Sequence, residues 1–180
     1  MGLPGRTLVM MQRPNDTEPC WLDDWAHGPA LPPPAAWGRP GLALLFNLTC
    51  AGCVSRTVPW LKRASVAVGS RATLFAVHTA YGHQTLPRTS VAPQVERFAR
   101  SFALLPCAVA LDASGDFAER LGAEGTPHWL IWNERGALER SIYGSQANAR
   151  TRLEYILEAW GVTLDGSDSA ADDGREEGVG

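Results

Sequence analysis

The apolar positions of this chain fall into a regular order from Gly41 onward. Leu42 to Leu48 is a nearly continuous apolar run of strand length, the pattern of a strand covered on both faces of its sheet. Ala51 to Val68 reads as a helix, interrupted or kinked at Pro59. Ala72 to Thr79 (ATLFAVHT) is a second apolar strand, so this segment predicts a βαβ unit with parallel strands and a right-handed crossover. A polar, turn-rich stretch from Ala80 to Ala92 leads into a helix over Pro93 to Phe102, a third buried strand over Cys107 to Leu111 and a short helix over Phe117 to Leu121. Trp129 to Trp132, the turn Asn133-Glu134-Arg135-Gly136 and Ala137 to Tyr143 predict an antiparallel hairpin. Gln146 to Trp160 closes the pattern as an amphipathic helix, with Leu153, Ile156, Leu157 and Trp160 on one face. No internal repeat is present.

The two ends differ from this core. Residues 1–40 are rich in Pro and Trp; Pro29, Pro32, Pro33, Pro34 and Pro40 preclude a long helix, and Trp21, Trp25 and Trp37 are costly to leave in water. An ordered flank packed on the domain is expected there. The last sixteen residues carry Asp165, Asp168, Asp172, Asp173, Glu176 and Glu177 against the lone Arg175, with Val179 as their one large aliphatic residue beyond Leu164. That composition predicts a disordered acidic tail, either solubilising or a docking segment. With 180 residues and 45% hydrophobic content the chain can bury one sizeable core. The expected organisation is thus flank 1–40, one domain over 41–164 and tail 165–180.

The formal net charge is −3, and removing the tail leaves the rest slightly positive with its arginines scattered. No basic run interleaves with aromatics, which excludes a nucleic-acid footprint. The apolar run Leu8 to Met11 is too short for a signal-peptide core of roughly 7 to 15 residues, and no stretch has the length of a membrane span, so a cytoplasmic protein without a membrane partner is expected. Four cysteines in a reducing compartment argue for catalytic, metal-binding or inert thiols rather than a disulfide scaffold.

Two of them, Cys50 and Cys53, form a CxxC between the first core strand and the following helix. A cysteine at a helix N-terminus has backbone N–H groups and the positive end of the helix dipole beside its sulfur, which favours thiolate. Cys50 is the expected nucleophile, and Cys53, one turn further in and more buried, would resolve a mixed disulfide. Two inert buried thiols are the bland alternative. Structural zinc lacks a second ligand pair, since Cys20 and Cys107 stand alone, while Cu(I) on Cys50, Cys53 and a histidine fits soft thiolates.

The CxxC, followed later by Gly125-Thr126-Pro127 just before the hairpin, resembles the thioredoxin fold with its cis-proline loop, over about Trp21 to Trp160. Within that superfamily the chain is similar to the TlpA and ResA type of redoxin, through VPWLKR after the CxxC, FAVHT on the next strand, and VALD followed by GTPHWLIW. The resemblance implies an α/β fold, a mixed central sheet with helices on both faces. It implies a thiol-disulfide oxidoreductase with no cofactor beyond a redox-active Cys50–Cys53 disulfide. Its partners would be a disulfide- or thiol-containing protein or small molecule and a separate reductant. Pro127 would be cis, and the Thr126 backbone would clamp a substrate segment as an added strand.

The chain departs from these relatives in proton handling. Where the TlpA and ResA type has a Glu, two residues before the helix proline, stands Thr57; where thioredoxin has an acid on the preceding strand stands Leu44. Pro59 is six residues after Cys53, where the family usually has five, so the first helical turn would be wound differently or start later. Parallel strands end at one sheet edge, which makes His78 the preferred replacement base at Cys53; hydrogen bonding to the loop Tyr81 to His83 is its other reading. Trp129 and Trp60 either shape a groove beside the CxxC or belong to the core. Arg56 either supports a thiolate or is merely solvated, and Cys20 and Cys107 are expected to be unreactive. Two further functions compete. A peroxiredoxin-like peroxidase would need Thr and Pro where Asn47 and Ala43 stand, and a non-catalytic binding module would use the groove beside Pro127 or the Trp-rich flank.

Overall fold

The structure, a computed structural model, describes residues 21–102 and 107–164. The acidic tail, Cys20 and the first part of the flank lie outside the described residues. Six strands form one sheet in the order β1-β4-β3-β2-β5-β6, with β1 at Trp25–His27, β2 at Gly41–Phe46, β3 at Thr73–Thr79, β4 at Val109–Asp112, β5 at His128–Trp132 and β6 at Leu138–Tyr143. The helices are α1 (Val58–Val68), α2 (Arg88–Ser101), α3 (Asp116–Arg120) and α4 (Ala147–Ala159).

β2, β3 and β4 are parallel and step across the sheet in one direction. Two right-handed crossovers in the same direction put α1 and α2 on one face. There Leu42, Leu44 and Phe46 pack with Leu61 and Ala64 of α1, Val95 of α2 and Leu153 and Leu157 of α4. From β4 the chain returns across the sheet to β5, antiparallel to β2, and α3 lies on the opposite face. Phe117 and Ala118 meet Ala43, Leu45, Phe75, Val77, Leu130 and Trp132 there. Helices thus cover both faces of a mixed sheet, and every residue of β2 and β3 is buried, which is why β2 and the Leu74 to Val77 part of β3 read as unbroken apolar runs.

The flank from Trp21 completes the α3 face. The Trp21 ring meets Trp37, Phe75 and Phe117 edge-on with centroids 5.8, 5.8 and 6.0 Å apart, and its indole N–H donates to the Leu31 carbonyl at 2.7 Å. Gly41 admits the Trp37 ring, since a Cβ there would lie 2.1 Å from it. Three flank residues add β1, antiparallel to β4, an edge strand too short for any period to announce. At the opposite edge β6 is exposed except for Ile142, and Glu139 and Arg140 blunt it against further pairing. Among the described residues no helix is long and apolar enough to cross a membrane.

Three boundaries differ from expectation for identifiable reasons. β2 ends at Phe46 because the buried Asn47 side chain takes over from the ladder, its Nδ2 donating to the Thr79 carbonyl at 2.8 Å. α2 starts at Arg88, with Pro93 inside it; the carbonyl that loses its partner to the proline, that of Thr89, belongs to an exposed residue of the first turn, where water can satisfy it. The kink expected at Pro59 lies upstream instead. Residues Cys53–Thr57 form a π-helical turn in which the Val58 N–H reaches the Cys53 carbonyl, and α1 then begins with Pro59 at its second position. A π turn holds one residue more than an α turn, and it takes up the extra residue between Cys53 and Pro59.

Candidate active site

The loop after β2 turns so that the Cys50 N–H donates to the Asn47 carbonyl at 3.1 Å, and the helical run opens at Ala51. Cys50 is half-buried at its mouth and Cys53 is fully buried, and both are free thiols. The Cys53 backbone N–H donates to Cys50 Sγ at 3.3 Å, while the Cys50 thiol points to the Thr126 carbonyl at 3.6 Å. Burial, then the hydrogen bond to Cys50, pushes the Cys53 thiol up to about 12. Cys53 is therefore a neutral thiol near pH 7.

Neither family acid position supplies a base. Thr57 spends its hydroxyl on the Cys53 carbonyl at 3.0 Å, and Leu44 is buried in the sheet core. Among the described residues no group of three or more His, Cys, Asp or Glu side chains is placed to hold a metal ion, so the two cysteines have no third ligand of these types beside them.

Facing the CxxC is the loop before β5, where the Thr126–Pro127 peptide bond is cis. The Pro127 carbonyl accepts the Gly144 N–H at 2.9 Å, and Gly125, at φ +152°, lies where a Cβ would come 3.3 Å from the Tyr143 ring. Tyr143 is half exposed and forms part of the rim. The Thr126 hydroxyl meets His83 Nε2 at 2.6 Å, and His83 Nδ1 meets the Thr49 hydroxyl at 3.3 Å. His83 thus joins the loop before Cys50 to the loop above it, and its partial burial pushes its pKa down. Sequence reasoning passed over His83 as a site residue because it lies in an aperiodic polar stretch; its one signal was its place just beyond the end of β3.

Among the described residues, His78 is hydrogen-bonded to neither sulfur. It stands opposite Phe46 in the parallel register, its ring packs edge-on against Phe46 at 5.5 Å, and its charged neighbours are His83 and Asp112 rather than a cysteine. Desolvation, then the charge of His83, pushes it down to about 4. Trp129 corrects the groove expectation: it is 1% exposed, points to the α1 face against Trp60 at 5.1 Å and donates to the Gly144 carbonyl at 3.3 Å, so it belongs to the core beneath the loop. Arg56 is exposed on the π turn, and burial pushes the Cys107 thiol up to about 12. His128, beside Pro127, is fully buried. Its Nδ1 accepts the Glu124 N–H, which leaves Nε2 to donate to the Ser141 hydroxyl, and burial keeps the ring neutral.

No protein-family model matches the chain, and no curated protein matches its sequence. Its architecture, however, is that of the thioredoxin-like fold. A thiol-disulfide isomerase from Corynebacterium glutamicum superposes with a TM-score of 0.66 at 17% identity, over 81% of this chain and 94% of that one. A secreted Mycobacterium tuberculosis disulfide oxidoreductase, described as homologous to E. coli DsbE, gives 0.53 at 16% identity over 68% and 82%. A putative thioredoxin from Neisseria meningitidis gives 0.53 at 19% identity over 87% and 100%.

Proposed function

We propose that this protein is a thiol-disulfide oxidoreductase in which Cys50 and Cys53 form the redox pair. The observation that carries the reading is the setting of Cys50: a half-buried sulfur at the start of a helical run, with the Cys53 N–H aimed at it from one side and the Thr126 carbonyl from the other. A donor held against the sulfur stabilises negative charge on it during attack. Cys50 Sγ attacks a substrate disulfide, forming a mixed disulfide and releasing one substrate sulfur as a thiol. Cys53, as thiolate, then attacks Cys50 Sγ; the new Cys50–Cys53 bond forms as the bond to substrate breaks, and two electrons have passed to the substrate. A separate dithiol reductant restores the pair, and no other cofactor takes part. In the opposite direction the same steps oxidise a dithiol. The backbone at Thr126 and Pro127 offers an extended substrate segment, from a protein or a small molecule, a strand-like edge beside Cys50.

A disulfide-reduction assay tests this. Cys50→Ser is expected to be inactive, and Cys53→Ser to accumulate a mixed disulfide on Cys50 that a thiol reductant releases. Full activity in Cys50→Ser would overturn the mechanism.

A further inference from the structure

Resting on that reaction, Cys50 needs an extended substrate segment held beside it, and the edge that offers one is the backbone at Thr126 and Pro127. This edge is supported from both sides. From the end of β6 the Gly144 N–H reaches the Pro127 carbonyl at 2.9 Å. From the Cys50 side His83 Nε2 meets the Thr126 hydroxyl at 2.6 Å. The Cys50 thiol also points to the Thr126 carbonyl, at 3.6 Å, but that contact lasts only while the sulfur carries its hydrogen. A thiolate or a mixed disulfide has no hydrogen to donate, and the tie through His83 remains.

His83 is itself presented by a fixed turn. Its N–H donates to the Ala80 carbonyl at 2.8 Å, and Gly82, at φ +75°, fills the turn position that calls for a left-handed residue. The root of the turn is tied to the sheet: the Thr79 hydroxyl accepts the Tyr81 N–H at 3.0 Å and donates to Asp112 Oδ2 at 2.7 Å. That carboxylate is buried and also accepts the Phe117 and Ala118 N–H groups, each at 3.1 Å. The ring therefore projects from an anchored base.

The surrounding hydrogen bonds assign its two nitrogens. Asn47 Nδ2 donates to the Thr79 carbonyl at 2.8 Å, so Asn47 Oδ1 is the acceptor for the Thr49 hydroxyl at 2.8 Å. With its own proton given to Asn47, the Thr49 oxygen accepts from His83 Nδ1 at 3.3 Å, and Nε2 accepts the Thr126 hydroxyl. One half-buried ring thus joins the residue before Cys50 to the residue before Pro127. An imidazolium would donate from Nε2 to the Thr126 oxygen instead, so the tie holds in either protonation state.

We propose that His83 is a positioning residue: it holds the Thr126 backbone in place against Cys50, so that a peptide bound along that edge presents its sulfur to the nucleophile. His83 touches no reacting atom. Its effect falls on disulfides that carry a peptide backbone, and much less on small disulfides that reach Cys50 without using the edge.

Two reagents with the same leaving group test this: 5,5′-dithiobis(2-nitrobenzoate), and a blocked Ala-Ala-Cys-Ala-Ala peptide carrying 2-nitro-5-thiobenzoate on its cysteine. The reduced full chain carries Cys20→Ser and Cys53→Ser, and the second-order rate of chromophore release is measured with each. In both reactions a bond forms from Cys50 Sγ to one reagent sulfur, the reagent S–S bond breaks, and 2-nitro-5-thiobenzoate leaves with the electron pair. His83→Ala is expected to slow peptide capture by about fivefold or more relative to capture of the small disulfide, the worth of about one net hydrogen bond. Thr126→Val is expected to lose the same ratio. His83→Gln, whose amide can still bond the Thr126 hydroxyl, and Thr126→Ser are expected to keep it to within about twofold. Combining His83→Ala with Thr126→Val is expected to be no worse than the poorer single variant, because both remove one tie. An unchanged ratio in His83→Ala, a His83→Gln as poor as His83→Ala, or losses that add in the double variant would overturn the positioning role and leave the exchange reaction standing. Chromophore release that survives Cys50→Ser at full rate would overturn the exchange reaction as well.

Discussion

His78 offers a direct test of how this site is insulated. It is 7% exposed, and its pKa falls to about 4 from 6.5 in an unfolded chain. Loss of hydration comes first among the causes, followed by the charge of His83, with Asp112 opposing both. A base whose folded pKa is depressed contributes its full stability above the unfolded value and loses it as pH falls toward the folded one. The window is therefore pH 6.5 down to 4, and at its lower end about 3 kcal/mol has been lost, at 1.36 kcal/mol per pH unit. Urea unfolding from pH 7 to 4 should show wild type losing about 3 kcal/mol more than His78→Leu. The edge-on packing of the imidazole on Phe46 is missing from the variant at every pH and so cancels, as does the acid titration of His128, which both proteins share. Parallel stability curves would refute the burial argument. The same variant should keep disulfide exchange and leave the thiol titration of Cys53 in place; a moved Cys53 titration would put His78 in its proton path.

Two further outcomes follow from the same structure. Asn47→Ala removes the donor of the fully buried Thr79 carbonyl and frees Thr49, and should cost about 1 to 3 kcal/mol in denaturant unfolding; an unmoved midpoint would contradict the role given to Asn47. Cys107 ionises at about 12 when folded and 9.0 when unfolded, so its contribution is present below pH 9 and is lost as pH rises toward 12. Cys107→Ala should remove about 1.4 kcal/mol of the stability that the reduced protein loses between pH 8 and 10, and equal losses in both proteins would exclude burial as the cause.

Much of the frame was legible along the chain because it is local. Leu42 to Phe46 and Leu74 to Val77 are apolar without alternation, and only a strand covered on both faces uses that pattern. The CxxC is placed by the end of one such strand, and Asn133 and Gly136 form the turn they predict, with Asn133 Oδ1 accepting the Arg135 and Ala137 N–H groups at 2.9 and 3.0 Å. The extra residue before Pro59 was countable, but its form was not: a π turn arises from the way Val58 bonds back to Cys53 under a packed helix, and no period records that choice. Trp129 was ambiguous for a related reason. An indole beside the active loop serves a groove or a core equally well until α1 and α4 cover it.

By itself the sequence determined which elements form, in what order, and that two cysteines open a helix beside a Gly-Thr-Pro loop. The tertiary structure decided where its two neighbouring histidines lie. His78 and His83 are close neighbours along the chain, yet the parallel register seats His78 on the covered face against Phe46, while the loop beyond β3 carries His83 back to Thr126, 43 residues away. Strand pairing acts through alternation and is written into neighbouring residues. A contact between two loops depends on where two crossovers bring their ends, and only the assembled sheet specifies that.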